Sequence, residues 1–139
     1  MVKLIFNNIK EGDQIPSLQE EQITQIQLIK YAGASGDFNP IHTIPDYAKA
    51  AGLDGTIAQG MLVMGMLGQM ISNWVGVKAV REFSASFKAI TRPGDILTAK
   101  GEVKRKYQDE NGKFISCKVQ IEDQKGEVKV GGKVTIQIE

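Results

Sequence analysis

Cysteine and histidine are nearly absent from this 139-residue chain, which contains one of each, Cys117 and His42. A single cysteine cannot form a disulfide within the chain, so the sequence predicts a reduced, cytoplasmic protein. One thiol and one imidazole also cannot build the usual cluster of soft metal ligands, so no metal site is expected. The alternating run FISCKVQI places Cys117 on an apolar strand face with Val119 and Ile121, which favours a buried side chain over a catalytic thiol.

An excess of charge of one sign is missing as well. Seventeen basic residues stand against sixteen acidic ones, which leaves a net charge of +1. Proteins that bind nucleic acids need a basic excess to neutralise phosphates, so this balance argues against a nucleic-acid partner. The one local basic cluster, KRKY at residues 104–107, is interpreted as the solvated face of a strand.

Long apolar runs are limited to one, IAQGMLVMGMLGQMISNWV at residues 57–75. This run is long enough to cross a bilayer, but it contains four polar side chains and has few positive residues beside it. We therefore predict no membrane partner and interpret the run as a long helix from about Ala58 to Trp74. That helix is expected to be apolar nearly all round because it is buried nearly all round.

After Gly76 the hydrophobic pattern changes to a period of two, which indicates strands. Four such runs follow one another: AVREFSASFKA, ILTAKGEVKRKY, FISCKVQIED and EVKVGGKVTIQIE. The short turns TRPGD, DENGK and DQKG between them predict an antiparallel meander. Residues 1–139 therefore read as one α+β domain, in which an antiparallel sheet curls around the long apolar helix.

Two shorter helices are predicted before the apolar one. Thr24 is a typical N-cap, and Gln27 three residues later would complete a capping box. The segment PDYAKAAG begins with Pro45 and ends at Gly52, as a short helix would. The stretch between these two helices, SGDFNPIH at residues 35–42, contains the only histidine.

In that stretch Asp37, Asn39 and His42 are the candidate functional side chains. Asn39 precedes Pro40 and is therefore extended, so Asp37 and Asn39, two positions apart, point the same way. A turn at Pro40 would return His42 to the same space, and the three polar groups would then surround one water molecule. The alternative is a simple turn, because Asp, Asn and the Asn-Pro step are all common in turns.

Gly60 is the fourth candidate, in the segment DGTIAQGM that opens the apolar helix. The first N–H groups of a helix lack partners and carry the positive end of its dipole. Because Gly60 has no side chain, a carbonyl oxygen could approach its N–H directly and be stabilised there as an enolate. Gly65 and Gly68, further along, are interpreted as sites of close packing between helix and sheet.

The stretch from Tyr31 to Leu62, YAGASGDFNPIH followed by YAKAAGLDGTIAQGML, resembles the signature of the MaoC-like hydratases and dehydratases, and FKAITRPGD resembles the strand and turn after it. The resemblance implies a hot-dog fold and an R-specific enoyl-CoA hydratase or 3-hydroxyacyl-thioester dehydratase. It also implies Asp37 and His42 as the catalytic pair, Asn39 as a holder of the water and the Gly60 N–H as the donor to the carbonyl.

The resemblance further implies an acyl-thioester substrate on coenzyme A or acyl carrier protein, no organic cofactor, and a homodimer or larger homo-oligomer. This chain departs from the family pattern at three positions. Gln59 replaces a frequent histidine, Ile44 a frequent acid and Gly65 an occasional serine. Two alternatives remain on the same fold, an acyl-CoA thioesterase and a non-catalytic acyl-CoA-binding protein.

Overall fold

A computed structural model describes residues 2–139 of the chain. The helices and strands, in chain order, are β1 (Gln14–Gln19), α1 (Gln25–Ser35), α2 (Pro45–Ala50), α3 (Gly60–Val75), β2 (Val80–Phe87), β3 (Thr98–Asp109), β4 (Gly112–Glu122) and β5 (Val128–Ile138). The strands form one antiparallel sheet in the order β1-β3-β4-β5-β2, and α3 contacts all five of them. The predicted α+β architecture, a sheet around one long apolar helix, is confirmed.

Helix α3 packs one face into the concave side of the sheet. The side chains buried on that face are Val63, Met66, Leu67, Met70, Ile71 and Trp74. The opposite face is open, since Met61 is 58% exposed and Gly65 and Gln69 are exposed too. The expectation of a helix buried nearly all round was therefore wrong, because the sheet covers only one side of it.

The two glycines in the middle of α3 do not mediate close packing against the sheet. A Cβ atom at Gly65 would meet nothing within 4 Å, and one at Gly68 would lie 3.5 Å from Phe83 Cε1, an ordinary contact distance. The packing role predicted for Gly65 was wrong, and Gly68 does not require it. The physical reason is the position of Gly65 on the open face of the helix.

The concave face of the sheet alternates as predicted along its central strand. Ile115, Cys117, Val119 and Ile121 of β4 are all at most 1% exposed. Burial raises the pKa of the Cys117 thiol to about 12. The turns DENGK and DQKG do connect antiparallel neighbours, β3 to β4 and β4 to β5.

The first predicted hairpin was wrong, because β2 pairs with β5 at the far edge and not with β3. The connection 88–97 crosses two intervening strands, so TRPGD does not close a hairpin. Its turn is instead tied to the segment before α1, where Ile23 N–H donates to the Asp95 carbonyl at 2.8 Å and Gly94 N–H to the Ile23 carbonyl at 2.7 Å. A local turn signal does not determine which strand becomes the partner.

A buried lysine, Lys129 of β5, fixes the same connection. Its ammonium donates to the Ile90 carbonyl at 2.8 Å and to Glu127 Oε1 at 2.6 Å, and lies 3.3 Å from Asp123 Oδ2 and 3.9 Å from Asp95 Oδ2. Burial opposes the charge, but these carboxylates outweigh burial and raise the pKa of Lys129. The ion pairs therefore join the 88–97 connection to the β4–β5 turn.

Candidate active site

Asp37 and His42 are brought together by consecutive turns after α1. Asp37 Oδ1 accepts a hydrogen bond from the Asn39 N–H at 3.3 Å, and Asn39 Oδ1 accepts one from the Ile41 N–H at 3.2 Å. A single 3-10 turn, Pro40–His42, follows and returns the chain. His42 Nε2 then lies 3.4 Å from Asp37 Oδ2, so the predicted convergence of these two groups is present.

The pair stands at the boundary between the protein interior and solvent. The His42 side chain is only 9% exposed, whereas that of Asp37 is 45% exposed. A separation of 3.4 Å is longer than an ordinary N–H···O hydrogen bond, and catalytic contacts are often this long before a substrate binds. A small molecule can therefore reach the carboxylate from solvent while the imidazole stays fixed behind it.

The backbone determines the tautomer of His42. Its Nδ1 lies 2.8 Å from the Ile57 carbonyl oxygen, which can only accept a hydrogen bond, so Nδ1 carries a proton. In the neutral imidazole the lone pair is then on Nε2, which faces Asp37. Two acceptors at this distance share a proton or accept from a donor placed to one side of both, and a water molecule can be that donor.

Asn39 has less freedom to hold that water than the sequence suggested. Its backbone, at φ −58° and ψ 121°, lies outside the helical region, as the proline after it requires. However, its Oδ1 caps the 3-10 turn by accepting from the Ile41 N–H, so only its NH₂ group remains to donate. Asn39 can donate to that water only through the amide nitrogen, and its Oδ1 keeps one further lone pair.

The start of α3 lies beside the histidine turn. Ile57 N–H donates to the Ile41 carbonyl at 3.1 Å, and the Ile57 carbonyl contacts the His42 ring, three residues before Gly60. Gln59 is the N-cap of α3, and its side chain makes no capping hydrogen bond. Within residues 2–139, no acceptor is found for the Gly60 N–H, so this donor is available.

A phenylalanine that the sequence analysis missed borders Gly60. A Cβ atom at Gly60 would lie 3.0 Å from Phe87 Cε1, although Phe87 itself is 56% exposed. The absence of a side chain at Gly60 therefore keeps space next to an exposed ring at the end of β2. No local pattern could reveal this contact, because strand β2 and the start of α3 are distant in sequence.

Gln25 and Thr56 were also missed. Gln25 Nε2 donates to the His42 carbonyl at 2.9 Å, and Thr56 Oγ1 donates to Gln25 Oε1. The available sequence signal was weak, since a glutamine after an N-cap and a threonine before an apolar run both have ordinary structural explanations. Among the residues from Val2 onward, no group of three or more metal-ligating side chains is found.

The sequence model described as "MaoC like domain" matches residues 8–125. The chain belongs to the MaoC-like family. The (R)-specific enoyl-CoA hydratase of Rhodospirillum rubrum is 32% identical over 136 residues, which cover 96% of this chain and 90% of that enzyme. The fungal fatty acid synthase subunit beta of Aspergillus oryzae is 36% identical over 74 residues, although this chain spans only 4% of its length.

A solved structure of another protein has the same fold. The (R)-hydratase from A. caviae superposes with a TM-score of 0.81, covering 95% of this chain and 98% of that one, at 24% identity. At this level of identity the likeness concerns the fold, which is the predicted hot-dog arrangement. The resemblance inferred from SGDFNPIH and the segment up to Leu62 is therefore confirmed at the level of family and fold.

The three departures from the MaoC-like pattern lie in different environments. Gln59 is 1% exposed, and its Nε2 donates to the Leu28 carbonyl at 2.9 Å. Ile44 is 51% exposed at the N-cap of α2, and Gly65 lies on the open face of α3. Gln59 is part of the packing around the start of α3, whereas Ile44 follows His42 by two residues and donates its N–H to the Pro40 carbonyl at 2.9 Å. Along the described chain, no helix is long and apolar enough to cross a membrane.

Proposed function

We propose that this protein catalyses the reversible addition of water to a trans-2-enoyl thioester, giving an (R)-3-hydroxyacyl thioester, with coenzyme A as the carrier. The observation that carries the proposal is the 3.4 Å contact between His42 Nε2 and Asp37 Oδ2, two acceptors that face each other at the solvent boundary. The family membership and the name of its R. rubrum relative support the same reaction. R stereochemistry comes from that relative.

In the proposed hydration, Asp37 and His42 act on one water molecule. The pair accepts a proton from the water as its oxygen bonds to C3 of the enoyl group. The electrons of the C2–C3 double bond move toward the thioester carbonyl, and the pair returns a proton to C2. Dehydration follows the same steps in reverse, so the acid and the base exchange roles.

The Gly60 N–H is the proposed donor to the thioester oxygen as negative charge develops there. A backbone N–H at a helix start is fixed before the reaction and adds the favourable end of the helix dipole. Asn39 would contribute its amide nitrogen to the position of the water. These groups supply the acid–base and electrostatic chemistry of the reaction, so the proposal includes neither an organic cofactor nor a metal. A separate part of the proposal is that the protein works in the cytoplasm.

The deciding experiment is hydration of crotonyl-CoA and longer trans-2-enoyl-CoAs by the purified protein. Loss of the enoyl absorbance without release of free thiol is the expected result, and chiral analysis of the product should give the R isomer. Release of free thiol from a saturated acyl-CoA would identify the thioesterase alternative instead. Binding of acyl-CoA without turnover of either substrate would identify a non-catalytic binding protein.

We also propose that the active unit is a homodimer formed by the open face of α3 and the edge strand β2. A surface groove runs between them and is lined by Gly65, Gly68, Gln69, Ile71, Ser72, Val77, Val80 and Phe83. Val77 is 77% exposed, and β2 has a sheet neighbour on one side only. An apolar groove beside an unpaired strand edge is a surface that a second copy can cover.

A further inference from the structure

Gln25 connects three separate segments around the proposed catalytic histidine. It is the first residue of α1, and its half-buried side chain reaches the 3-10 turn that contains His42. The Nε2 atom donates to the His42 carbonyl at 2.9 Å. The Oε1 atom accepts from the hydroxyl of Thr56, in the segment that leads to α3.

The His42 carbonyl determines which end of the Gln25 amide faces it, because a carbonyl can only accept. Thr56 is 6% exposed, so its hydroxyl needs a partner within the protein, and the amide oxygen is that partner. The amide nitrogen faces the His42 carbonyl, and the Thr56 hydroxyl holds the amide in place by donating to its oxygen. The Thr56 hydroxyl, the Gln25 amide and the His42 carbonyl therefore form one chain of donors and acceptors.

His42 is consequently fixed at both ends. Its ring is held by the Ile57 carbonyl at 2.8 Å, while its backbone carbonyl is held by Gln25. Its contact with Asp37, at 3.4 Å, is the loosest of the three. A shift of the backbone would therefore first change the distance and angle between His42 Nε2 and Asp37.

We propose that Gln25, held in place by Thr56, is a positioning residue that sets the approach of His42 to Asp37. Gln25 acts through the backbone of His42 and touches neither the proposed water nor the substrate position. The kinetic part of this inference rests on the proposed hydratase function, whereas the placement of the imidazole can be measured without any substrate. Displacements of the order of 1 Å in such a pair are enough to lower a rate substantially.

The first test replaces Gln25 by methionine, which has a similar shape but cannot donate or accept in the same way. We expect Q25M to lower kcat by at least about tenfold and to leave KM within about twofold. The imidazole resonances of His42, the only histidine, should shift in the ¹⁵N–¹H spectrum of the substrate-free protein. The matched control is Q22M, since Gln22 also donates through Nε2 to a backbone carbonyl, that of Gly94 at 3.1 Å.

The second test separates the hydroxyl of Thr56 from its packing. T56V removes the hydroxyl and should reproduce the changes of Q25M in kcat and in the His42 resonances, whereas T56S keeps the hydroxyl and should restore both. If Q25M does not fold, the comparison of T56V with T56S is sufficient to test the positioning role. Because one hydrogen-bond chain is involved, Q25M combined with T56V should be no worse than Q25M.

Two results would overturn the inference. One is a Q25M protein whose kcat and His42 resonances match the unsubstituted protein while only its melting temperature falls. The other is a T56S protein as impaired as T56V. If the unsubstituted protein hydrates no enoyl-CoA, the proposed function fails, but the His42 resonances of Q25M and T56V still decide whether Gln25 positions the imidazole.

Discussion

Asp37 and His42 are the two residues on which the proposed chemistry depends most. Replacing Asp37 by Asn or His42 by Ala should each lower kcat by ~10²–10⁴, the usual range for lost acid–base catalysis, with the fold preserved. The double variant should cost far less than the product of the two single effects, because the pair acts as a unit. Steady-state hydration kinetics and a far-ultraviolet spectrum check both expectations.

The control for this pair is Asp46→Asn, which removes an exposed carboxylate from the first turn of α2. It should retain hydration within about twofold, since it lies outside the donor and acceptor set derived above. Near-normal hydration by either Asp37→Asn or His42→Ala would defeat the assignment of the pair. The segment SGDFNPIH would then be only a turn.

Gly60 can be tested against Gly68 in the same helix. Gly60→Ala should impair hydration more than Gly68→Ala, by up to about 3 kcal/mol in the activation free energy, because only Gly60 must admit a carbonyl oxygen. The new methyl group would lie 3.0 Å from the Phe87 ring, but at Gly68 the nearest atom would be 3.5 Å away. The ratio kcat/KM for enoyl-CoA measures the difference.

Movement of Phe87 offers a competing explanation for any loss in Gly60→Ala. The combination of Phe87→Ala with Gly60→Ala removes the crowding by the ring and keeps the new methyl group on residue 60. Activity should remain low in this double variant when compared with Phe87→Ala alone. Recovery to the level of Phe87→Ala would mean that the glycine only makes room for the ring.

Cys117 should be chemically inert in the folded protein. Its side chain is 1% exposed in the core face of β4, and burial raises the pKa of the thiol to about 12, so almost no thiolate is present at neutral pH. A thiol reagent such as Ellman's should react slowly in buffer and with one equivalent in urea. Rapid, complete labelling of the native protein would show that β4 opens or that the thiol is exposed.

At the residue scale, the sequence could predict contacts that a short chain segment creates. The step from Asn39 to Pro40 limits the backbone enough to indicate that His42 returns toward Asp37. The bonds of Gln25 could not be predicted, because they join residues 17 and 31 positions apart whose proximity depends on the whole fold. For the same reason Phe87 beside Gly60 was invisible in the sequence.

Among the elements, strand β5 and the 88–97 connection depend on Lys129. Lys129→Met should lower the free energy of unfolding by about 3 kcal/mol, because it leaves buried carboxylates without their cation. The matched control is Lys104→Met, whose ion pair with Glu102 is exposed and should contribute less than ~1 kcal/mol. Urea unfolding of both variants measures these changes, and equal losses would exclude a special role for the buried cluster.

The same cluster has a predictable pH dependence. Burial alone would raise the pKa of Asp123, but the N–H groups of Glu127 and Lys125 and the Lys129 ammonium outweigh it and lower this pKa. A lowered acid pKa contributes stability that is lost as the pH falls through it, on the acid side of its ordinary range. The raised pKa of Lys129 contributes stability that is lost only in strong alkali. The difference in the free energy of unfolding between Lys129→Met and the unsubstituted protein should therefore become smaller at low pH and in strong alkali.

Element types were predictable from hydrophobic period, but the partner of β2 was not. Period-two runs after Gly76 gave all four strands there, and the Met-rich run gave α3 to within two residues of its bounds, Gly60–Val75. The neighbour of β2 is decided by the closure of the sheet around α3. Gly132 of β5 is a residue that this pairing requires, since a Cβ atom there would collide with the Ser84 backbone of β2.

For the whole molecule, Gly65 offers a clean test of the proposed dimer. Gly65→Gln adds a side chain where the single chain has nothing within 4 Å, and it gains helix propensity of about 0.8 kcal/mol. The fold should therefore tolerate it, while a second copy packed on this face would not. We expect the mass measured by light scattering to fall from that of a dimer to that of one chain.

The control Gly33→Gln places the same side chain on α1, where a Cβ atom also meets nothing within 4 Å. It should gain a similar helix propensity and leave the mass unchanged. A Gly65→Gln protein that keeps the dimer mass would exclude the open face of α3 as the interface. If the unsubstituted protein has the mass of one chain both with and without substrate, the dimer is excluded altogether.

The position of β5 inside the sheet has a consequence for how the chain folds during its synthesis. Residues 128–138 lie between β4 and β2, so β2 has no sheet partner until that segment has left the ribosome. Until then the part of α3 that β5 contacts and both flanks of β2 stay uncovered. We therefore expect nascent chains stalled before residue 128 to bind chaperones and resist native folding, and chains extended past residue 138 to be released in protease-resistant form.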